Sequence, residues 1–262
     1  LGDVYKRQGL NSPHAILLRA DSGEVLAEKD ADSTIYPASM TKMMTALLAI
    51  EANPDLDTPV TLPEEIFPAL QAQNASLAGF QPGETATVRD LLYGAMLPSG
   101  AECCEALARE VSGSEEAFVA RMNQKAAELG MTGTHFCNPT GLHDPEHVST
   151  VRDMARLTEA ALQNETFRKL FTTERYTVPA TNCHPQGFTM RSTLLSQLDG
   201  TALHSGRILG GKTGYTGEAG LCLASLAEVK GREYILVTAG AGGNHSTAPY
   251  HIEDAVTVYR RV

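Results

Sequence analysis

The tetrapeptide Ser39-Met40-Thr41-Lys42 places a hydroxyl and an amine three positions apart, just before a run of good helix formers. If Ser39 lies in the first turn of that helix, Lys42 lies on the same face. A lysine can deprotonate a serine if burial lowers its pKa, and the unpaired N–H groups of a helix start favour negative charge there. The spacing therefore indicates a serine nucleophile, although a capping serine and a solvated lysine would give the same pattern.

A second segment with chemical potential is Lys212-Thr213-Gly214, which follows Gly210-Gly211. Glycines beside a strand let another backbone approach closely. The lysine and the threonine offer a positive charge and a hydroxyl to a carboxylate. Taken alone, this segment could also be a plain turn.

A third segment, Ser99-Gly100-Ala101, follows Leu97-Pro98 and precedes a predicted helix. We expect Ser99 to cap that helix, since serine is a preferred N-cap residue. A capping role is compatible with a catalytic hydroxyl.

The three segments occur in the order S-x-x-K, S-G-x and K-T-G, which is typical of penicillin-binding proteins and class A β-lactamases. The sequence resembles the low-molecular-weight serine D-alanyl-D-alanine carboxypeptidases in particular, over roughly residues 12–260. The stretches that carry the resemblance are YPASMTKMMT (36–45), LPSG (97–100), NPTGLHD (138–144), GGKTGYT (210–216) and AGLCL (219–223).

This resemblance implies a catalytic role for three side chains. Ser39 would attack the carbonyl between the two terminal D-alanines, and Lys42 would take its proton. Ser99 would relay a proton to the departing D-alanine. The backbone N–H groups of Ser39 and Tyr215 would form the oxyanion hole.

The resemblance also implies the substrate and its binding residues. Lys212 and Thr213 would hold the terminal carboxylate, while the strand that includes Gly214 and Tyr215 pairs with the peptide backbone. The implied partners are peptidoglycan stem peptides ending in D-Ala-D-Ala and β-lactam antibiotics, which would acylate Ser39. We expect no cofactor and no metal, and a location outside the cytoplasm, in the cell envelope or secreted.

Two positions depart from the family pattern. Ala101 stands where relatives usually have an asparagine that contacts the substrate, so substrate preference stays open. Relatives often place an arginine before the last helix to assist the carboxylate, and residues 244–251 contain none. His245 or His251 could substitute, or either could be an ordinary surface histidine.

Three alternatives to the carboxypeptidase remain. A class A β-lactamase is disfavoured because no glutamate has an asparagine four residues later. An S-x-x-K esterase or amidase acting on another substrate stays possible, and Ala101 makes it more credible. The third alternative is a sensor that binds β-lactams or peptides and turns over weakly.

Composition excludes some partners. The chain has 31 acidic and 21 basic residues, a net charge of −10, which repels nucleic acid and anionic lipid. No stretch reaches the roughly 20 apolar residues of a membrane span, so we expect membrane contact only through segments absent from this chain. The five cysteines lack a C-x-x-C pair and are expected to be small buried thiols.

Alternating and helical patterns define the supporting elements. Strands are predicted at 14–19, 24–28, 219–228 and 234–240, with turns at 21–23 and 229–232. Helices are predicted at 40–51, 87–96, 102–111, 114–129, 149–162 and 252–260, with Thr87 and Asp90 as a near capping box and a loop at 141–145.

Strands at both ends and helices between them predict an α/β (α+β) fold of the β-lactamase/transpeptidase type. One antiparallel sheet would form from about 12–30 and 205–262, with helices packed on it and a helical lobe inserted at about 60–200. We expect one catalytic domain over 9–262. Residues 1–8 are expected to be non-native or disordered, and the chain to stop where the catalytic domain stops.

Overall fold

The computed structural model describes residues 9–198 and 203–262, so the expectation for residues 1–8 lies outside them. Its centre is a sheet of five strands, β1 (His14–Arg19), β2 (Val25–Lys29), β7 (Gly206–Thr216), β8 (Gly220–Val229) and β9 (Arg232–Ala241). The strands lie in the order β2-β1-β9-β8-β7, and every neighbouring pair is antiparallel. The sheet is therefore assembled from both ends of the chain, as predicted.

The described part of the chain also contains eight α-helices. They are α1 (Lys42–Ala52), α2 (Phe67–Ala72), α3 (Val88–Met96), α4 (Ala101–Ser112), α5 (Glu115–Glu128), α6 (Val151–Leu162), α7 (Glu165–Phe171) and α8 (Tyr250–Tyr259). None of these helices is long and apolar enough to cross a bilayer.

Alternation along the strands divides the core between the two faces of the sheet. Ile16 and Leu18 of β1 belong to a buried cluster shared with the helical lobe. Ala15 and Leu17 belong to a second cluster, shared with Ile252 of α8. Because both faces are covered, β8 and β9 are almost continuously buried, which explains their unbroken apolar runs.

Helix α1 is the central helix of the lobe. Its residues from Lys42 to Ile50 are all buried, and it packs against α3, α4 and α6. Burial on nearly every side explains why apolar residues occupy most of its positions. The first residue of this buried helix is a lysine, so the fold places an amine where water cannot easily reach it.

The helix starts were partly predictable. The capping box at α3 is present: Thr87 Oγ1 accepts from Asp90 N at 3.1 Å, and Asp90 Oδ2 accepts from Thr87 N at 3.1 Å. Two small two-stranded sheets outside the central sheet were not predicted. They are β3 (Pro59–Thr61) with β4 (Thr85–Thr87), and β5 (Arg175–Val178) with β6 (Phe188–Arg191).

Candidate active site

The proposed nucleophile lies in a tight turn. Ser39 is part of a 3₁₀ turn, Ala38–Thr41, that leads into α1, rather than of the α-helix itself. Ala38 has a φ of 48°, which is uncommon for a residue with a Cβ. Gly141 lies directly against this turn, since a Cβ on it would come within 1.8 Å of the Ala38 carbonyl oxygen. The predicted loop at 141–145 therefore supports the turn that carries Ser39.

Lys42 faces Ser39 as the three-residue spacing predicts. Its Nζ donates to Ser39 Oγ at 2.8 Å and to Ser99 Oγ at 3.0 Å. Lys212 Nζ reaches the same Ser99 oxygen at 3.0 Å. Three distant segments of sequence thus meet in one hydrogen-bonded network, which we call the floor of the site: Ser39, Lys42, Ser99 and Lys212.

The prediction that Ser99 caps α4 is wrong. Gly100 is the N-cap residue, and the Ser99 side chain makes no capping bond. Ser99 instead adopts a φ of 67°, a strained conformation for a serine. This backbone directs its hydroxyl to the two lysines, so the residue is used for the site and not for the helix.

Three of the four floor residues, Lys42, Ser99 and Lys212, are buried, and burial affects the charge of the two lysines. Lys42 is 3% exposed and Lys212 is 1% exposed. Desolvation lowers the pKa of Lys42, and it lowers that of Lys212 well below its usual range, where the charge of Lys42 adds to the effect. Desolvation and the proximity of the two ammonium groups both oppose charge on this pair of amines. A neutral amine beside Ser39 can accept its proton.

The K-T-G segment lies in a strand, not in a turn. Thr213, Gly214 and Tyr215 belong to β7, which is an outer strand of the sheet and leaves one edge open for pairing. A Cβ on Gly214 would lie 2.9 Å from Ser39 N, so the glycine permits close approach to the nucleophile turn. Thr213 Oγ1 is 2.6 Å from Thr193 Oγ1, a contact that the sequence did not reveal.

Two cavities open from Ser39 and Tyr215. The first, of about 160 Å³, we call the Thr213 cavity; its lining includes Ser99, Thr193, Thr213, Asn244, Thr247 and His251. The second, of about 440 Å³, we call the Thr140 cavity; its lining includes Lys42, Gln73, Ala101, Thr140, Leu142 and Glu218. A substrate that spans Ser39 therefore has room on both sides of the attacked bond.

Ala101 is buried in the wall of the Thr140 cavity, where it is 1% exposed. Its N–H donates to Ser76 O at 2.8 Å. The next residue, Glu102, is fully buried, and its carboxylate accepts from Ala78 N at 2.9 Å and from Gly79 N at 3.1 Å. Burial raises the pKa of Glu102, while these backbone bonds oppose the rise. The sequence analysis did not predict these contacts between Glu102 and the backbone of Ala78 and Gly79.

A second contact that sequence reasoning missed involves His147. Its Nδ1 accepts from Cys137 N at 2.8 Å, so Nε2 carries the hydrogen and donates to Thr41 Oγ1 at 2.8 Å. Burial lowers the pKa of His147 to about 4. His147 is thus a neutral side chain whose hydrogen bond to Thr41 supports the turn that carries Ser39.

The two histidines near the last helix differ. His245 is exposed, and its ring centroid lies 4.8 Å from that of Tyr215. His251 is 6% exposed, so the surface interpretation is wrong for this residue. Across residues 9–198 and 203–262, no group of three or more potential ligands could hold a metal ion.

A serine hydroxyl hydrogen-bonded to a buried lysine, beside an outer strand, is the arrangement expected of a serine acyl-transfer hydrolase. The D-alanyl-D-alanine carboxypeptidase family matches this chain over residues 4–243. The chain belongs to this family, so the resemblance stated from the motifs is confirmed.

Individual relatives support the same assignment. D-alanyl-D-alanine carboxypeptidase DacF of Bacillus subtilis is 38% identical over 232 residues, which are 87% of this chain and 57% of that relative. A D-alanyl-D-alanine carboxypeptidase of a Streptomyces species is 35% identical over 226 residues, 82% of this chain and 75% of the relative. This chain thus spans little more than half the length of DacF.

Solved structures establish the fold. The crystal structure of a Streptomyces DD-transpeptidase aligns with a TM-score of 0.85 and 30% identity, covering 96% of this chain and 97% of that one. A D-alanyl-D-alanine carboxypeptidase from Mycobacterium tuberculosis aligns with a TM-score of 0.82 and 28% identity, covering 96% and 91%. The predicted β-lactamase/transpeptidase-like fold is confirmed.

Proposed function

We propose that this chain removes the terminal D-alanine from peptidoglycan stem peptides through an acyl-enzyme on Ser39. Family membership gives the class of reaction. The observation that carries the proposal for these residues is the contact of Lys42 Nζ with Ser39 Oγ at 2.8 Å, inside a buried network that also includes Ser99.

Acylation follows from that network. Neutral Lys42 takes the hydroxyl proton of Ser39 as Oγ bonds to the carbonyl carbon of the penultimate D-alanine. The N–H groups of Ser39 and Tyr215 stabilise the oxyanion, which is usually the largest electrostatic contribution in acyl transfer. As the C–N bond breaks, the proton passes from Lys42 through Ser99 to the leaving nitrogen.

Substrate binding uses the outer strand and both cavities. The peptide backbone pairs with the open edge of β7, which places its acyl part towards the Thr140 cavity. The terminal carboxylate lies in the Thr213 cavity, near Lys212 and Thr213. Water then hydrolyses the ester on Ser39 and releases the shortened peptide.

Partners and location follow from the same chemistry. Stem peptides lie outside the cytoplasm, so we infer that residues 9–262 act as one catalytic domain in the cell envelope or as a secreted protein. β-Lactams have a strained amide next to a carboxylate and would acylate Ser39 by the same route. The acidic surface gives no basis for nucleic-acid binding.

The test is D-alanine release from an N-acylated peptide ending in D-Ala-D-Ala, with Ser39→Ala as the control. Release by the wild type and none by the variant is the expected result. Fluorescent penicillin labelling without D-alanine release would favour a sensor. The absence of both penicillin labelling and D-alanine release would contradict the proposal.

The second candidate is an esterase or amidase that uses the same nucleophile on another substrate. Ala101 favours it, because a buried methyl group lines the Thr140 cavity where relatives usually offer an amide. Hydrolysis of aryl esters by the wild type and not by Ser39→Ala, without D-alanine release, would identify this activity.

A further inference from the structure

Glu102 is a buried carboxylate beside the floor of the site. It is the second residue of α4 and is 0% exposed, although glutamate is rarely buried completely. Both of its carboxylate oxygens accept from Ala78 N at 2.9 Å, and Oε2 also accepts from Gly79 N at 3.1 Å. Burial of a charge is costly unless it is compensated, so this position indicates a function that an apolar side chain could not supply.

The contacts of Glu102 indicate that its side chain is ionised. Its described hydrogen-bond partners are all donors, namely the N–H groups of Ala78 and Gly79 and the thiol of Cys103, whose Sγ is 3.8 Å from Oε1. Burial raises the pKa of Glu102, and the N–H groups of Ala78, Gly79 and the first turn of α4 oppose the rise. A protonated carboxyl would place its own hydrogen among these donors. The structure therefore supports a buried negative charge at this position.

The segment that Glu102 holds, residues 76–79, forms part of the wall of both cavities. Ser76 lines the Thr213 cavity and the Thr140 cavity, and its carbonyl oxygen accepts from Ala101 N at 2.8 Å. The segment is neither helix nor strand, and three of its four residues are exposed. Because an exposed, irregular segment has few contacts of its own, its position depends on the bonds that tie it to α4. The carboxylate of Glu102 accepts two consecutive N–H groups of this segment and so determines where the wall lies.

Glu102 also acts on the charge of the floor. Desolvation lowers the pKa of Lys42, whereas the proximity of Cys104 and Glu102 opposes that fall. Burial raises the pKa of Cys104 to about 12, so Glu102 is the ionised group of the two at neutral pH. Since a nearby negative charge favours the protonated form of an amine, Glu102 keeps Lys42 more basic than burial alone would leave it. A stronger base takes the proton of Ser39 more readily.

We propose that Glu102 is a positioning residue for acyl transfer, whose carboxylate fixes residues 76–79 as a wall of both cavities and whose charge supports Lys42 as the base. The inference rests on the proposed function, because it requires Lys42 to deprotonate Ser39. Glu102 itself exchanges no proton with the substrate. The two effects are separable, since the first depends on the length of the side chain and the second on its charge.

The experiment compares Glu102→Gln, which removes the charge and keeps the length, with Glu102→Asp, which keeps the charge and shortens the side chain. Acylation by excess penicillin is followed in single turnover between about pH 5 and pH 10, since such a rate constant does not depend on the amount of folded protein. The rate should rise with pH as Lys42 loses its proton. The midpoint of this rise should fall by about 1 pH unit in the glutamine variant and stay within about 0.3 unit of the wild type in the aspartate variant.

Steady-state kinetics test the wall. For the D-Ala-D-Ala peptide, we expect Glu102→Asp to raise KM about 10-fold with kcat within about 3-fold, the pattern of lost ground-state binding. The matched control is Asp153→Asn in the first turn of α6. Asp153 is 3% exposed and its carboxylate accepts from Gly133 N at 2.9 Å, but it is not among the described residues that line the two cavities. We expect this control to lose stability, with the pH midpoint within about 0.2 unit and KM within about 2-fold of the wild type.

Three results would overturn the proposal. An unchanged midpoint in Glu102→Gln would remove the electrostatic role, and an unchanged KM in Glu102→Asp would remove the role in holding residues 76–79. Equal changes in the Glu102 variants and in Asp153→Asn would leave Glu102 with a role in stability alone. Failure of the proposed function is a separate result, in which the wild type itself neither releases D-alanine nor is acylated.

Discussion

The floor and the wall of the site satisfy their polar groups differently. In the floor, Lys42 and Lys212 both donate to Ser99, and Lys42 also donates to Ser39. In the wall of the Thr213 cavity, Asn244, His245 and Thr247 are exposed to solvent. The polar side chains of the floor are thus paired with one another, whereas those of the wall are open to solvent and to a ligand.

The difference has a physical cause. A buried polar group without a partner costs roughly 1–3 kcal/mol, so a buried network is stable only when its members pair with one another. Such a network also fixes the geometry of the nucleophile before substrate arrives, which is what electrostatic preorganisation requires. A group that binds the substrate contributes more to affinity when it is not already paired within the protein. Substitutions in the floor should therefore affect the chemical step, and those in the wall should affect binding.

The largest effect is expected for Lys42→Ala in the floor. This substitution removes the amine that contacts Ser39 Oγ, so acylation by penicillin should fall about 10³-fold or more. Stopped-flow acylation rates measure this, with circular dichroism to show that the fold is retained. Labelling at the wild-type rate would exclude Lys42 as the base.

The next effect concerns the turn that carries the nucleophile. Gly141→Ala combines a φ of 85° with a Cβ 1.8 Å from Ala38 O, so the turn must shift. We expect a loss of about 3 kcal/mol in unfolding free energy and acylation about 100-fold slower.

Gly83→Ala is the matched control for this substitution. Gly83 has a φ of 77°, and a Cβ added to it would have no described neighbour within 4 Å, so only the backbone penalty of about 1–2 kcal/mol should remain. Denaturant titration and acylation rates on both variants separate the two contributions. Equal acylation rates in the two variants would show that Gly141 does not position Ser39.

A smaller effect is expected at His147, which is hydrogen-bonded to Thr41 in the turn that carries Ser39. Burial lowers the pKa of His147 to about 4, against about 6.5 for an exposed histidine. Between these values the unfolded chain binds a proton that the folded protein does not, so acidification from pH 6.5 towards pH 4 destabilises the fold.

Glutamine does not titrate, so His147→Gln removes this dependence. Between pH 7.5 and pH 5, the wild type should lose about 2 kcal/mol more unfolding free energy than the variant. Urea titrations at the two pH values measure the difference. Parallel losses in both proteins would mean that His147 is not buried in the neutral form.

The smallest effect is expected for His245→Ala in the exposed part of the wall. His245 lines both cavities, but its ring is exposed and meets the ring of Tyr215 in a T-shaped arrangement. We expect KM to change less than about 3-fold, since solvent already satisfies the ring. A rise in KM of about 10-fold or more would contradict this expectation and indicate that the ring of His245 contacts the substrate.

The sequence was most informative where short spacing fixes geometry. The contact between Ser39 and Lys42 follows from three-residue spacing, and the capping box at Thr87 follows from local pairing. The five-stranded sheet was predictable in part because β8 and β9 are long apolar runs with a turn between them.

Contacts over long sequence separation were not predictable. His147 meets Thr41 across 106 positions, and Glu102 meets Ala78 across 24. Nothing in either local pattern distinguishes these residues from surface ones. The cap predicted at Ser99 was wrong because propensity favours serine there, whereas tertiary contacts with two lysines impose a strained backbone instead.

The most direct test of the proposed mechanism is to locate the acyl group. The protein would be incubated with benzylpenicillin, quenched in acid and digested, and the peptides analysed by mass spectrometry. The mechanism predicts one modified peptide, carrying the penicilloyl group on Ser39, and no modification in Ser39→Ala. An adduct on Ser99 or on any other residue, or an adduct that persists in Ser39→Ala, would contradict it.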